Sequence, residues 1–158
     1  MLENILKEEE NKLSVKKNIW KNSRYKFLKT LSTTKKGSVG ETIVKKILEN
    51  KFKVVNKHIG NEYDLTQSKK RIEVKTSILN DTGLYKFLQI RLDDDYTHIA
   101  LLCIEPKSIR LFLVPKYYLG GLKPQHGGER QNNNIVYLGI KPNNLYKKYS
   151  KFEVKTKN

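Results

Sequence analysis

Apolar residues recur at roughly helical intervals between Met1 and Lys36, at Leu2, Ile5, Leu6, Leu13, Ile19, Trp20, Phe27, Leu28 and Leu31. This pattern predicts one or two amphipathic helices, with breaks near Ser23 and across Ser32, Thr33 and Thr34. From Gly37 the spacing tightens. Val39, Ile43, Val44, Ile47 and Leu48 form one stripe of a helix beginning near Ser38, and Glu41 falls at the flank of that stripe. Residues 51–58 read as a strand and Gly60-Asn61 as a turn. Residues 63–76, YDLTQSKKRIEVKT, then read as two short strands joined by a polar, basic turn. A polar loop over 77–83 follows, and then LYKFLQIRL, which fits a strand or a short helix. The acids Asp93, Asp94 and Asp95 read as a loop, because three consecutive carboxylates cannot share a face. The runs 97–104 and 109–114 are almost uninterruptedly apolar, as central strands covered on both faces should be. Pro115 opens a short helical turn closed by Gly120-Gly121. A loop over 123–134, a strand over 135–140, a helix over 143–149 and a basic tail, KFEVKTKN, complete the chain.

The alternation in IEVK carries the candidate chemistry. Side chains on a strand point alternately to its two faces, so Arg71, Glu73 and Lys75 share one face while Ile72 and Val74 point into a core. Pairing of the hairpin brings Asp64 near Glu73, and two adjacent carboxylates repel unless a cation or proton lies between them. Oxygen donors suit Mg²⁺, which retains several waters and accepts a phosphate oxygen. Lys75, about 6.6 Å along the strand from Glu73, can reach the attacking water or the phosphate. Taken alone, this charge pattern also fits a solvated hairpin edge, and Glu41 alone fits a surface residue paired with Lys45.

Composition shifts that balance. Across 158 residues, 32 Lys and Arg oppose 16 Asp and Glu, a formal charge of +16, which favours a polyanionic partner. Cys103 lies in the apolar run IALLCI and reads as a buried thiol. The three histidines show no metal-ligand spacing, which disfavours zinc. No apolar span of membrane length and no apolar leader occur in the sequence, so a cytoplasmic protein with no membrane role is expected. The loop Lys123–Asn134 is too polar to pack. Lys123, His126, Arg130 and Gln131 offer donors to phosphates and base edges there.

GETIVKKIL, EYDL and IEVKTS, in that order on helix, strand and strand, resemble the core of the PD-(D/E)XK nuclease superfamily, with Tyr63 where the name-giving proline would stand. The resemblance spans residues 37 to about 114. It implies an α/β (α+β) fold with a restriction-endonuclease-like core, a central mixed sheet flanked by helices. A basic helical arm over 1–36 would precede a core over 37–158. It further implies metal ligation by Asp64, Glu73, the Val74 carbonyl and Glu41, and catalytic roles for Glu41, Asp64, Glu73 and Lys75. The cofactor would be Mg²⁺, with Mn²⁺ as substitute. Gln89 resembles a glutamine found downstream of the motif in several restriction enzymes, and with Arg71 it joins the expected DNA contacts. The expected activity is hydrolysis of double-stranded DNA by a small type II restriction-type or homing-type endonuclease, acting as a homodimer or higher homo-oligomer. The competing reading is a nucleic-acid-binding protein that keeps the fold without catalysis.

Overall fold

The computed structural model describes residues 1–125 and 134–156, with residues 13–18 described by their backbone alone. Helix α1 (Leu2–Asn18) and a 3₁₀ turn (Lys26–Thr30) lead into the long helix α2 (Thr33–Phe52). The start of α2 corrects the expectation of Ser38. Ser32 is the N-cap, its Oγ accepting from the Lys35 amide at 3.2 Å, so the Ser-Thr-Thr cluster opens the helix rather than preceding it. Gly40, Val44 and Leu48 are buried at i, i+4 and i+8, which is the stripe that packs on the sheet. Gly40 permits the close approach: a Cβ there would lie 1.9 Å from Thr76 Oγ1.

The predicted strand over 51–58 shrinks to β1 (Asn56–Lys57), because α2 runs on to Phe52. The hairpin follows as β2 (Leu65–Gln67) and β3 (Lys70–Ile78), the latter extending into the residues expected to form a loop. LYKFLQIRL resolves as strand β4 (Tyr85–Arg91). The two apolar runs are β5 (His98–Ile104) and β6 (Ile109–Pro115). After a 3₁₀ turn (Lys116–Tyr118) come β7 (Lys123–Pro124), β8 (Ile135–Ile140) and helix α3 (Pro142–Lys148). The expected basic tail is partly structural. A last 3₁₀ turn leads to β9 (Glu153–Val154), which pairs with β6 and buries Val154.

The six-stranded sheet has the order β1-β2-β3-β5-β6-β9 and is mixed: β3 and β5 run parallel, every other pair antiparallel. Beside it stands a three-stranded antiparallel sheet, β4-β8-β7. The fold class is therefore the expected one, α+β with a mixed sheet flanked by helices.

Two apolar cores explain the layering. One lies under α2 and joins Val44 and Leu48 to Leu65, Ile72, Ala100, Leu102, Leu111 and Leu113. Trp20 and Leu28, from the segment read as an arm, are buried in it as well. The other fills the opposite face, joining Ile99, Leu101, Cys103, Phe112 and Val114 to Tyr85, Phe87, Val136, Leu138 and Leu145. Strand β5 feeds both cores by alternation, which is why its sequence is apolar throughout. Because β4 belongs to the connection between the parallel strands β3 and β5, the second sheet sits on the β3 face that carries Glu73. Ser77 fastens the two, its buried Oγ accepting from the Lys86 amide at 2.8 Å. Among the described residues no helix is long and apolar enough to cross a membrane.

Candidate active site

Strand β3 divides its side chains as alternation demands. Ile72, Val74 and Ile78 pack under α2, while Arg71, Glu73, Lys75 and Ser77 point to the opposite face. The register Leu65↔Ile72 puts Asp64 opposite Glu73 and on the same face. The backbone there is held on both sides: the Asp64 amide donates to the Ile72 carbonyl at 2.9 Å, and the His58 amide to the Asp64 carbonyl at 2.8 Å. One strand position further, the side chain takes over from the ladder, and Val74 N–H donates to Asp64 Oδ2 at 2.8 Å. A residue's N–H and C=O leave a strand on the same side. The Val74 carbonyl therefore looks to the edge occupied by Asp64, and Asp64 Oδ1 has no hydrogen bond there among the described residues.

Lys75 Nζ stands 3.2 Å from Glu73 Oε1, both side chains less than one-fifth exposed. An adjacent ammonium normally pulls a carboxyl's pKa down. Here burial first, then the charge of Asp64, outweighs the lysine and pushes Glu73 up to about 7, with Asp94 adding to the rise. The pair is short of positive charge. Two carboxylates and a backbone carbonyl form an all-oxygen set matched to Mg²⁺ or Mn²⁺, and a divalent cation would supply what Lys75 does not.

Glu41 does not join them. It sits on the helix covering the other face of the sheet and pairs with Lys57 at 3.5 Å, while Lys45, its expected partner, pairs with Glu49. Among the described residues no three His, Cys, Asp or Glu side chains gather into a metal-holding group. Asp64 and Glu73 are the two acids that the hairpin brings together, while Glu41 is paired on α2 with Lys57. The physical reason is that α2 and Glu73 lie on opposite faces of β3.

Arg71 shares the Glu73 face but is committed to the acidic turn, donating from Nε to the Asp95 carbonyl at 2.9 Å and from Nη2 to Asp95 Oδ1 at 3.1 Å. Gln89 lies in a bulge of β4 between Phe87 and Ile90, at φ 52°, and its amide donates to Gln125 Oε1 at 2.6 Å. Lys123 is exposed on β7. His126, Arg130 and Gln131 lie outside the described residues.

Two residues near Glu73 were not singled out from the sequence. Asp94, dismissed as part of a loop, contributes its charge to Glu73. Tyr96 is buried in the second core with a hydroxyl that has no hydrogen-bond partner among the described residues. Burial, then the charges of Glu73, Asp94 and Asp93, push its pKa up to about 12. A run of three acids gives no signal of which one faces inward. A tyrosine immediately after it, leading an apolar strand, was the available hint.

No protein-family model matches the chain, and no curated protein matches it. Among solved structures it is similar to a bacterial homing endonuclease, I-Ssp6803I, at 18% identity and a TM-score of 0.48, over 70% of this chain and 75% of that one. A likeness of that degree bears on neither activity nor site residues.

Proposed function

We propose that this chain is a metal-dependent DNA endonuclease whose active site is built on the β2–β3 hairpin. Asp64, Glu73 and the Val74 carbonyl would hold Mg²⁺ or Mn²⁺. The observation that carries this reading is the electrostatic deficit at Glu73: two half-buried carboxylates share a face, and the one ammonium beside them does not offset their repulsion. A site of binding alone has no use for that arrangement, since carboxylates in a phosphate-binding groove oppose affinity. When bound, the cation would polarise a phosphate oxygen and lower the pKa of a water beside it.

The chain's own groups do the rest. Lys75, 3.2 Å from Glu73, would reach a phosphate oxygen bound beside the cation, where its ammonium can orient the attacking water and stabilise charge developing on phosphorus-bound oxygens. Asp64, anchored by the Val74 amide, fixes the second carboxylate without spending both of its oxygens. A net charge of +16 draws the polyanionic substrate to the surface. Cutting both strands with one such site per chain calls for a symmetric pair of copies, as in a restriction-type or homing-type enzyme.

Plasmid DNA incubated with the protein in Mg²⁺ or EDTA tests this. The expected result is nicking or discrete fragments in Mg²⁺ only, slowed at least about 100-fold in Lys75→Ala with DNA binding retained. Equal cleavage by the wild type and Lys75→Ala would remove the assigned site. DNA binding with no cleavage in any metal would leave a nucleic-acid-binding module.

A further inference from the structure

The turn that carries Asp94 is fastened more firmly than a surface loop requires. Arg71, two residues from Glu73 on the same face of β3, grips Asp95 through both its carbonyl and its carboxylate. Lys116 Nζ donates to the Asp94 carbonyl at 2.6 Å and lies 4.2 Å from the centre of the Tyr96 ring. Thr97 Oγ1 accepts from the Arg71 amide at 2.9 Å, and the Thr97 amide donates to the Arg71 carbonyl at 2.8 Å. These bonds fix the backbone over the Glu73 face. They leave the Asp94 carboxylate with no hydrogen bond or ion pair among the described residues.

Beneath the turn, Tyr96 is 3% exposed and its hydroxyl has no partner among the described residues. A buried O–H left unsatisfied loses its hydration without compensation and so opposes folding. The ring alone would pack as well as phenylalanine, so the hydroxyl is unexplained by the core. It lies in the field of Glu73 and Asp94. A strongly hydrated divalent cation keeps several waters, and each needs an acceptor or a donor to fix it.

We propose that the Asp94 carboxylate and the Tyr96 hydroxyl each hold a water of the hydrated divalent cation bound by Asp64 and Glu73, making them positioning residues of that site in place of the helix carboxylate Glu41. The inference rests on the cation reading given above. Asp94 supplies an acceptor for a cation-bound water without entering direct ligation, which agrees with the lack of any three-acid group at ligating distances among the described residues. Arg71 pairs with Asp95 and Lys116 holds the Asp94 carbonyl, and of the three acids of the turn Asp94 is half-buried while Asp93 and Asp95 are exposed.

Calorimetric titration of the full-length protein with MnCl₂, paired with thermal melting in EDTA, tests it. Tyr96→Phe and Asp94→Asn are expected to weaken Mn²⁺ binding about tenfold, while Glu41→Gln keeps wild-type affinity. In EDTA, Tyr96→Phe should melt no lower than the wild type, because it removes no hydrogen bond within the protein. Wild-type affinity in Tyr96→Phe and Asp94→Asn, with affinity lost in Glu73→Gln, would overturn this inference and leave the cation site standing. Wild-type affinity in Glu73→Gln would overturn both. A loss in Glu41→Gln as large as in Asp94→Asn, or a lower melting point for metal-free Tyr96→Phe, would also overturn it.

Discussion

Glu73 and Glu153 are both glutamates on the six-stranded sheet, both largely buried and both in contact with a cationic side chain, yet their acidities move in opposite directions. Glu153 on β9 is gripped by the Arg110 fork at 2.8 and 2.9 Å and by Lys155 at 3.0 Å, and these hydrogen bonds hold its pKa below the ordinary glutamate range. Glu73 on β3 has Lys75 at 3.2 Å and is nevertheless pushed up to about 7. Side-chain exposure is similar, at 10% and 16%, yet burial is the largest influence on Glu73 and is outweighed by hydrogen bonding at Glu153. The neighbourhood decides whether burial is offset. Glu153 meets a planar guanidinium that satisfies both oxygens, whereas Glu73 meets one point charge and two further carboxylates, Asp64 and Asp94. A salt bridge therefore marks a structural glutamate in one place and a strained one in the other. The difference is legible only when every charge within range is weighed.

The comparison can be broken most forcefully at Arg110. Its guanidinium also lies 3.8 Å from the centre of the Tyr146 ring, so Arg110→Ala removes packing as well as charge and leaves Glu153 with the exposed Lys155 alone. A loss of about 2–3 kcal/mol in urea unfolding at pH 7 is expected. That loss should shrink as the pH falls through Glu153's depressed pKa. Unchanged stability would show that the fork is ornamental.

A smaller effect of opposite sign is expected at Glu73. Its folded pKa is above its unfolded value, so its ionisation opposes folding increasingly from about pH 4.5 to pH 7. Glu73→Gln should therefore stabilise the metal-free protein by about 2 kcal/mol at pH 8, after allowance for solvent screening, and by nothing at pH 4. Destabilisation at pH 8 would place Glu73 in the same class as Glu153.

Much of β3 and its neighbours was legible in the sequence for a simple reason. Alternation over 71–77 assigns faces without reference to any partner strand, and the doubly apolar runs of β5 and β6 announce central strands. The faces of Glu73 and Lys75, and the placing of Asp64 opposite Glu73, follow from that local rule. What was illegible depends on distant pairing. Glu153 and Val154 form a strand only because β6 offers an edge more than forty residues earlier in the chain, and a two-residue strand has no periodicity to read. The same holds for β4, whose partner β8 lies across the polar loop. The place of Glu41 was not legible either, because helical spacing gives a side chain's angle about its own axis, not the face of the sheet on which the helix lands. The expected break at Ser32 is present, between the 3₁₀ turn and α2, but the start of α2 was placed too late because a cap and an interruption share the same residues.

The most direct test is the titration of the Glu73 carboxyl, followed by NMR on selectively ¹³C-labelled glutamate, first in EDTA and then with saturating Mg²⁺. The expected result is a midpoint near pH 7 without the metal and a shift below the ordinary glutamate range with it, while Glu153 stays low in both. A Glu73 midpoint that is already low in EDTA, or one that Mg²⁺ does not move, would contradict the account.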